Sequence, residues 1–119
     1  LATTRLAEHW AHALDLADPL GADYPDTAGL RHVAWLGHGT LPYAFRLASL
    51  DPVPVRAELS GPAGERWTYG PDTAATRITG PAGDFCRVGA QRLRPEHSHL
   101  VATGPHSGEV LSVLRNWAA

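Results

Sequence analysis

The spacing of the apolar residues changes near residue 51 of this chain, and this change limits the folds that the chain can adopt. Up to residue 50 the apolar side chains recur at helical spacing, as Leu6, Trp10 and Leu14 do. From Val53 to Gly70 they alternate with polar residues, which is the pattern of strands with one buried face. The sequence therefore predicts an α+β fold, in which N-terminal helices are followed by a small antiparallel sheet covered by helices.

Proline, glycine and capping residues set the boundaries of the predicted elements. Pro19 and Gly21 end a first helix over 5–21, and Asp26 or Thr27 can cap a second helix that ends near His38. The turn at 62–65 joins two strands into a hairpin. The elements expected after the second helix are a helix over 42–50, strands over 53–61, 66–70 and 76–80, a helix over 81–93, a strand over 98–104 and a helix over 105–118.

Composition indicates one globular domain and excludes several classes of partner. The 119 residues are 44% hydrophobic and 18% charged, with a formal net charge of −2. This balance gives no reason to expect nucleic acid or an anionic membrane as a partner, and no apolar run is long enough to span a bilayer. The single cysteine, Cys86, excludes an internal disulfide and favours a cytoplasmic location.

A candidate metal-binding pair lies on the first predicted helix. Glu8 and His12 are four residues apart, so their side chains share one helix face and can converge on one cation. Asp15 can accept the other ring N–H of His12 and so orient the imidazole toward a metal. The same spacing is typical of a solvated glutamate–histidine pair without a metal. Two ligands do not complete a zinc site, so a site here needs a further ligand.

Four stretches of the chain, in this order, resemble the C-terminal part of actinobacterial metal-binding proteins related to mycothiol-dependent maleylpyruvate isomerase: RLAEHWAHALDLADPLG, RHVAWLG, ELSGPAGERWTYGP and ITGPAGDFCRVGAQR. The resemblance implies that residues 1–24 are the last helix of a DinB-like metal-binding bundle. It also implies that residues 25–119, with their leading helices, are an α+β domain similar to sterol carrier proteins. Since the chain has no methionine and opens within a helical pattern, the other bundle helices are expected upstream in the same protein.

The resemblance further implies a metal, a cofactor and a reaction. Glu8 and His12 match the E-x-x-x-H ligands of the family, and a third ligand, a histidine, would lie upstream of Leu1. A divalent metal, with Zn²⁺ expected, would keep one position open for a thiol cofactor such as mycothiol. The implied function is that of an isomerase or transferase, in which the thiolate attacks a small carboxylated electrophile.

Arg92 is the candidate substrate-binding residue. When the stretch GPAGD is aligned, Arg92 takes the place of the family's arginine that serves the substrate carboxylates. A planar guanidinium suits two parallel hydrogen bonds to a carboxylate, which gives the assignment a physical reason. The alternative for Arg92 is a structural ion pair. On the same predicted helix, Phe85 and Val88 are expected to pack on the sheet and Arg87 to lie in water.

The remaining histidines are scattered, which favours structural roles. His32 is expected to be a core or capping residue, and His9 points away from the neighbouring glutamate on its helix. His97 and His99 can form a strand pair with both rings on one face, but a surface position is favoured because no further ligand joins them. Cys86 is expected to be a small buried apolar residue and not a nucleophile.

A second function stays open, that of a non-catalytic module that binds an apolar small molecule between the sheet and the helices. Trp35, Trp67, Phe85 and Trp117 would line such a cavity, although large aromatic residues are more often simply core. The metal content of the full-length protein separates the two functions, because only the enzyme requires stoichiometric metal.

Overall fold

The structure is a computed structural model that describes residues 30–115 of the chain, beginning with two helices. Helix α1 spans Leu30–Gly39 and helix α2 spans Leu41–Leu47. Thr40 is the N-cap of α2, and proline occupies the first turn of that helix, where its missing N–H costs nothing. The buried residues of α1 form one stripe at helical spacing: Leu30, Val33, Ala34 and Gly37. The predicted break between two helices is confirmed.

Four strands form one sheet in the order β2-β1-β3-β4. Their bounds are Val55–Ser60 for β1, Arg66–Tyr69 for β2, Thr76–Pro81 for β3 and Val101–Thr103 for β4. The hairpin of β1 and β2 is confirmed as antiparallel, and β3 pairs antiparallel with β4. The α+β class is therefore confirmed.

The central strand pair corrects the prediction of an all-antiparallel sheet. β1 and β3 run parallel, with Val55 opposite Thr76 and Leu59 opposite Gly80, so the sheet is mixed. The physical reason is topological. The chain reverses after β1 and again after β2, and β3 then lies on the free edge of β1 in the same direction as β1. Alternation of apolar and polar residues is the same in both pairings, so it carried no information about direction.

Helix α3 spans Ala82–Gly89, which is shorter than the predicted helix over 81–93. A Schellman motif ends it, because the N–H of Arg92 donates to the carbonyl of Arg87 at 2.9 Å and the N–H of Gln91 donates to that of Val88 at 3.0 Å. Gln91 adopts the left-handed conformation that this motif requires, with φ of 62°. Arg92 consequently follows the helix and does not lie on it.

Helix α4, Ser107–Val113, is the last described element, and two buried hydroxyls hold it in place. Thr40 Oγ1 donates to the carbonyl of Arg115 at 2.6 Å. Thr76 Oγ1 donates to the carbonyl of Pro105, also at 2.6 Å. These two bonds fix the chain on either side of α4, one to the start of α2 and the other to β3.

One face of the sheet and the helices that cover it form the core. Phe85 of α3 and Phe45 of α2 are fully buried, together with Leu59 of β1 and Ile78 of β3. The predicted packing of Phe85 and Val88 on the sheet is confirmed by their burial in this cluster. Within residues 30–115, no helix combines the length and the apolar character that a membrane span needs.

His38 and Tyr69 join α1 to the sheet. His38 Nε2 donates to the carbonyl of Val55 at 2.8 Å, and the Tyr69 hydroxyl donates to the carbonyl of Arg31 at 2.9 Å. The two rings are stacked, with centroids 6.0 Å apart. Burial raises the pKa of Tyr69 above 10.0, the charge of an ionised Cys86 would add to this, and Arg31 acts in the opposite direction.

The raised pKa of Tyr69 predicts a loss of stability in alkali. The unfolded chain ionises this tyrosine first, so its contribution to the free energy of unfolding is intact below about pH 10 and falls as the pH rises further. Tyr69→Phe should remove that part of the alkaline loss. At neutral pH it should cost about 0.5–1.5 kcal/mol, because the hydrogen bond to Arg31 is lost. Denaturant unfolding of both proteins at neutral and alkaline pH checks this, and equal alkaline losses would contradict it.

Candidate functional site

The predicted metal pair, Glu8 and His12, lies outside the described residues, and so do Asp15 and His9. Their role as ligands stays a prediction. Within residues 30–115, no cluster of three or more histidine, cysteine, aspartate or glutamate side chains is arranged to hold a metal ion. The candidate site that the structure does describe is the one around Arg92.

Arg92 occupies the second residue after the helix end in the Schellman motif of α3. A hydrophobic residue is frequent there, because it contacts the last turn of the helix. Helix α2 ends in the same motif, with Ser49 left-handed at φ of 60°, and has the partly buried Leu50 at the corresponding place. Arg92 is exposed instead, and its Nη1 donates to the carbonyl of Ala90 at 3.0 Å. Packing at the helix end therefore does not account for this arginine.

Arg92 lines a cleft of about 480 Å³ between the end of α3, the segment 91–97 and α4. The 3₁₀ helix Pro95–His97 shapes one side of this cleft. Its volume is within the range of about 300–1,000 Å³ that is usual for small-molecule sites. We call it the basic cleft and define it by its lining residues: Val88, Gln91, Arg92, Leu93, Arg94, Pro95, His97, Leu111, Ser112 and Leu114.

The charged side chains among the described lining residues of the basic cleft are the two arginines, Arg92 and Arg94. Arg92, Arg94 and His97 contribute side chains, and none of the lining residues within 30–115 is a carboxylate. Arg94 and His97 are exposed, and in the part of the chain that the structure describes neither side chain forms a hydrogen bond or an ion pair. A concave surface lined by one sign of charge attracts ions of the opposite sign, so the cleft favours an anion.

The sequence identified only one of these residues. Arg94 was not among the candidates, and His97 was expected at the surface with no ligand role. The sequence did contain one signal for Arg94. It lies two residues after Arg92 and just before Pro95, and a proline restricts the preceding residue to extended backbone. Arg94 is indeed extended, with φ of −73° and ψ of 141°. The lining residues from the α4 region could not be predicted from the sequence around Arg92, because they lie far along the chain from it.

The other histidines have structural or surface positions. His32 is exposed, so its predicted role in the core is wrong, because the buried stripe of α1 lies on the opposite side of that helix. His97 and His99 do not share a strand: the first lies in the 3₁₀ helix and the second precedes β4. The preferred surface interpretation is confirmed for both. His99 contacts Asp84, with Nδ1 3.3 Å from the carboxylate.

The aromatic residues of the alternative function occupy separate positions within residues 30–115. Trp67 and Phe85 are buried in the core, and Trp35 is 58% exposed. None of these three lines the basic cleft, and Trp117 lies outside the described residues. The core interpretation is therefore confirmed for Trp67 and Phe85, and the binding of an apolar molecule stays a prediction. Cys86 is buried with its sulfur 3.5 Å from the carbonyl of Leu30, which confirms it as a core residue.

Comparison with known proteins gives two relatives, both from Mycobacterium tuberculosis. The uncharacterized protein MT0041 of strain CDC 1551 / Oshkosh and the uncharacterized protein Rv0036c of strain ATCC 25618 / H37Rv are each 42% identical to this chain over 120 aligned residues. The alignment covers 99% of this chain and 47% of each relative, so the chain spans about half the length of the curated relatives that it matches. No protein-family model matches the chain, and no solved structure does.

Proposed function

We propose that this chain is the C-terminal part of a divalent-metal-dependent isomerase or transferase, which uses a thiol cofactor such as mycothiol and acts on a small carboxylated electrophile. The observation that carries the proposal is the position of Arg92 on the basic cleft, together with a second arginine, Arg94, and with no carboxylate among the described lining residues. The names of the two relatives state no activity, so the support comes from the cleft and from the resemblance of the sequence.

A carboxylate is the substrate group that suits this cleft best. The guanidinium of Arg92 can donate two parallel hydrogen bonds to it, and the charge of Arg94 adds attraction. The bond from Arg92 to the carbonyl of Ala90 and the Schellman motif hold this arginine in place. A guanidinium that is already positioned loses less conformational entropy when the substrate binds.

The metal part of the proposal depends on Glu8 and His12 as ligands, with Asp15 orienting His12, all of them outside the described residues. When bound, a divalent metal such as Zn²⁺ supplies Lewis acidity that favours the ionised form of a thiol. The basic cleft binds the substrate through its carboxylate and orients its electrophilic carbon. Chemistry and substrate binding would thus be divided between two parts of the protein.

Arg92→Lys should lower kcat/KM by about ten- to hundredfold in the full-length protein that carries this chain. The lysine ammonium is a point charge and cannot reproduce two parallel hydrogen bonds, and a hydrogen bond to a charged group contributes about 1.5–3 kcal/mol. Steady-state kinetics with a thiol cofactor and carboxylated electrophiles measure this. Arg92→Ala should lose still more activity.

The control for this experiment is Arg66→Lys, because Arg66 is exposed on β2 and does not line the cleft. Metal content should be the same in all these variants, since the proposed ligands are elsewhere, whereas His12→Ala should lose the metal. If Arg92→Ala reduces the melting temperature or the metal content as strongly as the activity, Arg92 is a structural residue. Unchanged activity in both Arg92 variants would remove it from the site.

A further inference from the structure

The basic cleft has an apolar side that the proposed function does not explain. Leu111 and Leu114 come from the α4 region, and Val88 and Leu93 come from α3 and the segment after it. Leu114 and Val88 belong to the buried core, while Leu111 and Leu93 are only partly buried and leave apolar surface on the cleft. Leu93 and Leu111 therefore offer a contact for the hydrocarbon part of a ligand.

The volume of the cleft also exceeds what a very small acid needs. Its volume of about 480 Å³ lies within the range of about 300–1,000 Å³ in which drug-sized ligands bind. A ligand of only a few atoms would leave most of this space, including its apolar side, filled with water. Water against leucine side chains is unfavourable, so a ligand with an apolar body gains affinity by displacing it.

Arg94 and His97 are lining side chains that can donate a further hydrogen bond to an anion. Both are exposed on the same short segment, where the N–H of His97 donates to the carbonyl of Arg94 at 2.9 Å. Neither side chain is paired within residues 30–115, whereas the Ser112 hydroxyl already donates to the carbonyl of Glu109 at 2.7 Å. An anionic head group that binds on this side of the cleft can therefore contact the guanidinium of Arg94.

We propose that the basic cleft binds an amphipathic organic acid, with its carboxylate on Arg94 beside Arg92 and its hydrocarbon body against Leu93 and Leu111. The ligand class is a monocarboxylic acid with an apolar body of moderate length. This inference rests on the proposed use of the cleft for a carboxylate, and adds both a second arginine and the apolar character of the acid. Arg94 binds the ligand and takes no part in chemistry.

Calorimetric titration of the full-length protein that carries this chain with octanoate, acetate and octanol tests the proposal. Octanoate should bind at least tenfold more tightly than acetate, because burying only two methylene groups already gives about that factor. Octanoate should also bind more tightly than octanol, which lacks the charge. Equal affinity for octanoate and acetate, or no saturable binding of octanoate, would overturn the proposal.

Variants assign the two parts of the ligand. Arg94→Gln should weaken octanoate binding by about tenfold or more, since it removes a charged hydrogen-bond partner, whereas the matched control Arg66→Gln should leave it unchanged. Leu111→Ala should weaken octanoate and leave acetate as it was. Circular dichroism confirms that each variant is folded. An equal effect of Arg94→Gln and Arg66→Gln would show non-specific attraction by charge and overturn the assignment.

These titrations are independent of the test of the proposed function, since they need neither metal nor thiol. Octanoate binding that depends on Arg94, together with turnover that does not respond to Arg92→Lys, would retain the ligand class and reject the isomerase or transferase. Turnover that requires Arg92, with acetate and octanoate bound equally, would retain the enzyme and reject the amphipathic acid.

Discussion

Phe85→Ala is expected to lower the free energy of unfolding by about 3–5 kcal/mol. Phe85 is fully buried between α3 and the sheet, so its removal takes away apolar contacts and leaves a cavity that the surrounding side chains fill only partly. Small domains have a total stability of about 5–15 kcal/mol, so this single change removes a large part of it. Denaturant unfolding followed by tryptophan fluorescence measures the difference.

Leu47→Ala is the matched control for Phe85→Ala. Leu47 ends α2 and is 55% exposed, so its truncation creates no internal cavity and should change the stability by about 0.5 kcal/mol or less. A loss in Leu47→Ala equal to that in Phe85→Ala would show that Phe85 is not part of a packed core.

Gly70→Ala is expected to destabilise the chain by about 2–5 kcal/mol. Gly70 has φ of 86°, and a left-handed backbone costs an alanine about 1–2 kcal/mol. The added Cβ would also overlap the carbonyl oxygen of Val55 and lie 2.7 Å from Nε2 of His38. Such overpacking typically adds about 1–3 kcal/mol. It would disturb the hydrogen bond between those two groups as well.

Gly64→Ala separates the two causes, because Gly64 has a similar φ of 84° but no atom lies within 4 Å of its added Cβ. This control should cost only the conformational part, about 1–2 kcal/mol. Equilibrium unfolding of the two variants under the same conditions gives the comparison. If both lose the same stability, the contact of Gly70 with Val55 and His38 contributes nothing.

The local sequence pattern was sufficient to predict most of the helices and strands. It was insufficient to predict where α2 and α3 end and in which direction β1 and β3 pair. The buried stripe of α1 and the alternation along β1 are visible in the sequence because burial follows the period of the backbone. The ends of α2 and α3 were missed, since Ser49 and Gln91 take the left-handed position that glycine usually occupies. The parallel pairing of β1 with β3 depends on the path of the chain between strands, which short-range pattern does not record.

The sequence allowed single residues of the candidate site to be predicted, but not the cleft that they form together. Arg92 was identified by resemblance, and it lies on the basic cleft. Arg94 was missed because its only signal is its place two residues after Arg92 and just before Pro95, which predicts extended backbone and no contact. Leu111 was missed because it reaches the cleft from α4, far along the chain from Arg92.

The late position of α4 in the chain has a consequence for folding during synthesis. The chain leaves the ribosome from its N-terminus, and domains complete their folding as synthesis proceeds. β4 and α4 come after all the other described elements, yet β4 completes one edge of the sheet and the α4 region supplies Val110 and Leu114 to the core. Until these residues emerge, the hydroxyls of Thr40 and Thr76 have no acceptors from Arg115 and Pro105. The nascent chain therefore exposes apolar surface for chaperones to bind until the α4 region has emerged from the ribosome.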